Sequence, residues 1–92
     1  ELLTKPLTFS GSKLEINFST SAAGGLRVEI QDEKGKTLPG FSLDDCREQI
    51  GSEIDRVVSW KGGNDVSSLA GKTVRLRFVM KDADLFALRF AK

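Results

Sequence analysis

Apolar and polar residues alternate with a period of two in several short runs of this chain. In residues 74–80, Val74, Leu76, Phe78 and Met80 fall on one side, and Arg75 and Arg77 fall on the other. That spacing predicts a half-buried β-strand. Residues 14–18 put Leu14, Ile16 and Phe18 inward, and residues 26–30 do the same with Leu26, Val28 and Ile30. Residues 85–90 bring Phe86, Leu88 and Phe90 into one core-facing register. In residues 54–60, Ile54, Val58 and Trp60 share a face, with Val57 opposite. Residues 7–9 predict a short strand behind Pro6, and residues 37–43 a strand interrupted at Pro39-Gly40.

Turn chemistry separates these runs. Gly11-Ser12, the small polar stretch 20–25, Asp32-Glu33-Lys34-Gly35, the Lys61–Asn64 stretch, Gly71-Lys72 and the Lys81–Asp84 stretch all read as loops or turns. Ser42 is placed to cap one short helical turn over residues 43–50, which Gly51 ends. Roughly seven or eight short strands, with turns about every eight to twelve residues, predict an all-β fold. The expected architecture is a two-sheet antiparallel β-sandwich, jelly-roll-like, in a single domain of residues 1–92.

Composition narrows the classes of function. Fourteen basic residues against 13 acidic ones leave a net charge of +1, with no run of five like charges. Neither nucleic acid nor an anionic membrane is an expected partner. No apolar run reaches the roughly 18 residues a transmembrane helix needs. The chain opens at Glu1 without a Met or a signal peptide, and the simplest expectation is a piece excised from a longer protein. Cys46 is the single cysteine, so no intrachain disulfide forms, and its expected role is a small buried hydrophobe. The absence of histidine removes Ser-His and Cys-His nucleophile pairs and His-ligated zinc. Among 13 acids some pair will fall at the ~5–9 Å that glycoside hydrolysis requires, but nothing lines a pocket around one. No catalytic residue is expected.

Four stretches, taken in order, resemble a known family. They are residues 22–32 (AAGGLRVEIQD), 38–46 (LPGFSLDDC), 57–63 (VVSWKGG) and 74–85, which runs from VRLRF through KDADL. Together they resemble the C-terminal β-sandwich domain appended to bacterial, planctomycete-type glycoside-hydrolase-like proteins, whose parents are similar to propeller-type fructan and arabinan hydrolases. The resemblance implies a carbohydrate-binding module of an exported protein, extracellular or periplasmic, with polysaccharide or oligosaccharide and the catalytic domain of the same parent chain as partners. It equally admits a sandwich that only packs on that catalytic domain. It carries over no sugar-binding residues.

The candidate residues therefore come from chemistry. A sugar presents C–H groups that stack on an aromatic face and hydroxyls that need planar polar partners. The supply is one Trp, six Phe and no Tyr. Trp60, beside Lys61, Asn64 and Asp65, is either a stacking platform at a loop rim or a core residue. Phe41 either stacks on a ligand or seals the sandwich edge. Arg75 and Arg77 offer a second, sheet-face site that would suit an acidic sugar, or else a solvated face of ion pairs to Glu15, Glu29 or Asp55. Asp82 and Asp84 are the candidate ligands for a structural Ca²⁺, which takes six to eight oxygens; no other cofactor is expected.

Overall fold

The computed structural model describes residues 1–92. Four strands form one antiparallel sheet: β1 (Leu2–Leu3), β2 (Lys13–Asp32), β3 (Ser52–Val57) and β4 (Val74–Ala91), in the spatial order β1-β4-β2-β3. The runs read as separate short strands are joined. Residues 14–18 and 26–30 both lie in β2, and residues 74–80 and 85–90 both lie in β4. β2 and β4 pair along their whole length, from Lys13 opposite Ala91 to Asp32 opposite Val74.

Irregularities in that long ladder bend it. Thr20 pairs with Ala83 and Gly25 with Lys81, so residues 21–24 of β2 face Asp82 alone, and Asp82 takes a left-handed φ of 46°. A straight strand of twenty residues would span about 65 Å, yet the molecule is 35 Å in its longest direction. The sheet therefore folds back on its own inner face. Gly24 sits where the bend needs close backbone approach, against the carbonyl oxygens of Lys81 and Asp82.

The inner face holds the core the periodicity predicts. Leu14, Ile16, Phe18, Leu26, Val28, Ile30, Val74, Leu76 and Phe78 are buried, joined by Cys46, Val58, Trp60, Val66 and Leu69. Phe9 stacks on Phe90 with ring centroids 3.8 Å apart and closes one part of this core.

Along residues 26–30 no regular strand covers the second side of β2, and loops supply its hydrogen-bond partners instead. The Ile30 N–H donates to the Phe41 carbonyl, and the Leu38 N–H donates to the Ile30 carbonyl. Leu26 exchanges both its backbone bonds with Gln49. Between them, the Val28 N–H donates to Cys46 Sγ at 3.4 Å, and the Val28 carbonyl accepts the Trp60 Nε1–H at 3.0 Å. Two side chains thus stand in for a missing strand.

Three local expectations are corrected. Residues 43–50 form no helix: residues 43–45 make a turn, in which the Asp45 N–H donates to Ser42 Oγ, and Cys46 and Gln49 make isolated bridges. The one helical turn is 3₁₀, at Ser67–Leu69, where Asp65 Oδ1 accepts the Ser67 N–H. Residues 7–9 and 37–43 contribute single bridges, at Leu7 and Thr37, rather than strands.

Candidate functional site on the outer sheet face

Two bulges lie side by side on the outer face, both opposite Asn17. On β4, Asn17 pairs with Ala87 and Phe18 with Leu85, so Phe86 is inserted. On β3, Ile16 faces Arg56 and Phe18 faces Glu53, so Ile54 and Asp55 together oppose Asn17. An inserted residue reverses the in–out alternation on one side of it. Phe86 and Ile54, which strict alternation places in the core, are instead 69% and 79% exposed. They are the two most exposed large apolar side chains of the protein.

Polar side chains lie close to them in register. Glu15, Asn17, Asp55 and Arg89, with Ala87 and Leu88, line a shallow pocket of about 80 Å³. Asp55 holds a left-handed φ of 56°, and its N–H donates to Asn17 Oδ1 at 2.6 Å, which fixes that backbone. Because Oδ1 accepts this bond, the Asn17 NH₂ group is left to donate outward. Arg89 Nε donates to Glu15 Oε1 at 2.8 Å, and its Nη2 lies 3.9 Å from Asp55 Oδ2. The bond to Glu15, then the charges of Glu15 and Asp55, hold the guanidinium above its ordinary pKa. The pocket is a pre-set donor and acceptor array next to an exposed ring.

The loop site expected at Trp60 is not built this way. Trp60 is 1% exposed, its ring packs edge-on against Phe41 at 5.2 Å, and its N–H is committed to Val28. No face of its ring is open to a sugar. Phe41 is half-buried against the same core. Lys61 starts the two-residue turn that joins Trp60 to Gly63, where the backbones of those two residues exchange hydrogen bonds. Lys61, Asn64 and Asp65 are all exposed. Asp65 is engaged by the Ser67 backbone, which lowers its pKa.

Arg75 and Arg77 lie on the other half of β4, away from the two bulges in register, and both are occupied. Arg75 Nε donates to the Glu33 carbonyl. Arg77 donates twice to Glu1, at 2.7 and 3.2 Å, and reaches Glu29 at 3.4 Å. Glu29 is buried at 6% exposure and also accepts from Gln31 Nε2 at 2.8 Å and Thr37 Oγ1 at 2.7 Å. Of the ion pairs expected as the alternative for this face, Arg77–Glu29 is present, whereas Arg75 forms none and Glu15 and Asp55 lie beside Arg89 instead. The Arg77–Glu29 group is a network with Gln31 and Thr37. Its carboxylate is fully partnered, so it is structural.

That network has a pH signature. Burial pushes the Glu29 carboxyl up, but its bonds from Thr37, Gln31 and Arg77 outweigh burial and hold it below the usual carboxylate range. The unfolded chain then binds the proton first as pH falls, so folding loses stability through Glu29 below about pH 4.5. Melting temperature should drop as the pH is lowered through that window. Glu29→Gln should flatten the slope, leaving the part due to Glu1, Asp32 and Asp65, whose pKa values are also lowered. Thermal melts at a series of pH values for both proteins check this, and an unchanged slope would refute it.

Asp82 and Asp84 are exposed, two residues apart within β4. Asp82 serves the bend opposite residues 21–24, and no group of three or more acidic or sulfur ligands converges anywhere in the molecule. Two carboxylates alone fall short of the oxygen count Ca²⁺ needs. A second depression, around Asp32, Glu33, Lys34, Lys72 and Thr73, has no apolar wall.

No family model, curated protein or solved structure matches this chain.

Proposed function

We propose that this domain is a non-catalytic carbohydrate-binding module and that its site is the outer face of β3, β2 and β4. Phe86 stacks on the sugar ring, and Asn17, Glu15, Asp55 and Arg89 take its hydroxyls. The observation that supports this is the 69% exposed Phe86 ring beside a polar array already held by its own hydrogen bonds. The resemblance to appended sandwich domains of glycoside-hydrolase-like proteins supports it as well. On that basis the bent sheet is a jelly-roll-like sandwich of an exported bacterial protein, extracellular or periplasmic. Its task is to keep the attached catalytic domain near polysaccharide by raising effective concentration.

Affinity electrophoresis of the domain in gels containing plant and microbial polysaccharides tests this. One polymer class should retard it. Phe86→Ala should abolish the retardation while shifting the melting temperature by no more than a few degrees, as expected for an exposed side chain. Loss of binding together with unfolding would assign Phe86 to the core instead.

A second function is favoured by Ile54, which is even more exposed than Phe86 and lies across Asn17 from it. Two large apolar groups on one face suit a surface that packs on the parent's catalytic domain. An isolated domain with such a surface should self-associate. Light scattering at high concentration separates the two, because a binding module stays monomeric.

A further inference from the structure

The polar array beside Phe86 constrains the charge of what it binds. We infer that the ligand of this face is an uncharged glycan, an inference that rests on carbohydrate binding at the same face. Among the pocket's side chains, two carboxylates, Glu15 and Asp55, face one guanidinium, Arg89. That guanidinium is already paired, at 2.8 Å to one carboxylate and 3.9 Å to the other. No unpaired cation lines the pocket. A uronate or sulfate ester placed here would meet two like charges and would gain a bidentate partner only by breaking the Arg89–Glu15 bond. The other guanidinium groups that would suit an acidic sugar lie on the other half of β4, outside this pocket: Arg77 is paired with Glu1 and Glu29, and Arg75 holds the Glu33 backbone carbonyl.

A neutral sugar meets no such cost. Each hydroxyl donates and accepts at once. The carboxylate oxygens of Glu15 and Asp55 not engaged by Arg89 accept, while the outward NH₂ of Asn17 and the outer N–H groups of Arg89 donate. Phe86 supplies the apolar face. Because no net ion pair forms on binding, affinity should be nearly independent of salt.

Affinity electrophoresis against a neutral β-glucan, an arabinan and a levan, in parallel with polygalacturonate and alginate, decides this. The expected result is retardation by at least one neutral polymer, little changed between low salt and about 0.5 M NaCl, with none on the two uronates. Phe86→Ala should abolish that retardation. Arg89→Lys, which keeps the charge but loses the fork, should weaken it less than Phe86→Ala. Retardation by a uronate that disappears in salt would overturn the neutral ligand while leaving carbohydrate binding at this domain intact. Retardation by no polymer overturns carbohydrate binding itself, and the neutral ligand with it.

Discussion

Trp60→Ala should leave the domain unfolded, or close to it, at room temperature. The substitution empties the largest of the fully buried side-chain volumes. Loss of a buried Trp costs about 3–5 kcal/mol through transfer and cavity terms. It also strips the Val28 carbonyl of its only partner on that side, since no strand lies there to replace the indole N–H. An orphaned buried carbonyl adds about 1–3 kcal/mol. A domain of this size has about 5–10 kcal/mol to lose. Far-UV circular dichroism and a thermal melt read the outcome. A cooperative melt within a few degrees of the parent protein would contradict the buried position. Trp60→Phe gives the intermediate case: most of the ring volume stays, the N–H is lost, and the protein should remain folded with a lower melting temperature.

Gly24→Ala should destabilise far more than Gly25→Ala, although the two positions are adjacent and both buried. A Cβ on Gly24 would stand 2.6 Å from the Asp82 carbonyl oxygen and closer still to that of Lys81. Both obstacles are backbone, in the segment where Asp82 already holds a left-handed φ. Neither can move without disturbing the bend, so the expected cost is about 1–3 kcal/mol or more. A Cβ on Gly25 meets the side chain of Glu48 instead. That side chain is 44% exposed and paired only loosely with Arg27, at 4.0 Å, so it can swing into solvent. The expected cost is below about 1 kcal/mol. Urea unfolding followed by the emission of Trp60, the only tryptophan, measures both. Equal losses would mean that the bend tolerates a methyl group at either position.

The sequence displays the core of this fold clearly and its candidate site hardly at all, for one physical reason. Period-two alternation reports which residues face inward as long as no residue is inserted. It therefore places Leu14, Ile16, Phe18, Leu26, Val28, Ile30, Val74, Leu76 and Phe78 correctly. It assigns Phe86 the phase of Phe90, and Ile54 the phase of Val58, and both assignments fail at a bulge. A bulge leaves little trace in the alternation itself. The places where alternation breaks are the places where apolar groups reach solvent, and they coincide with the polar array.

The same limitation explains the strand count. Small residues at 20–25 and the acidic stretch 81–84 carry loop composition, yet they run through a paired bend, because composition does not distinguish a turn that ends a strand from a kink within one. Trp60 stayed open between loop rim and core for another reason. A Trp followed by Lys-Gly-Gly looks like the rim of a loop, and nothing in one dimension reveals that its indole N–H completes the backbone bonding of Val28, 32 residues away.

The partnership of β2 with β4 has a kinetic consequence. Its register couples residues far apart in the chain, up to Lys13 with Ala91, while β3 and the loops that cover β2 lie between them. The ladder between the two long strands cannot start from a tight hairpin, because even its nearest partners in sequence, Asp32 and Val74, are separated by β3 and the covering loops. Closing so large a loop costs entropy before any pairing repays it, which puts such topologies toward the slow end of the range for small domains. During synthesis, Leu14, Ile16 and Phe18 emerge with no β4 to cover them, and they stay uncovered until residues 74–91 follow. The half of the candidate site that β4 contributes is therefore completed only after the rest of the chain is made.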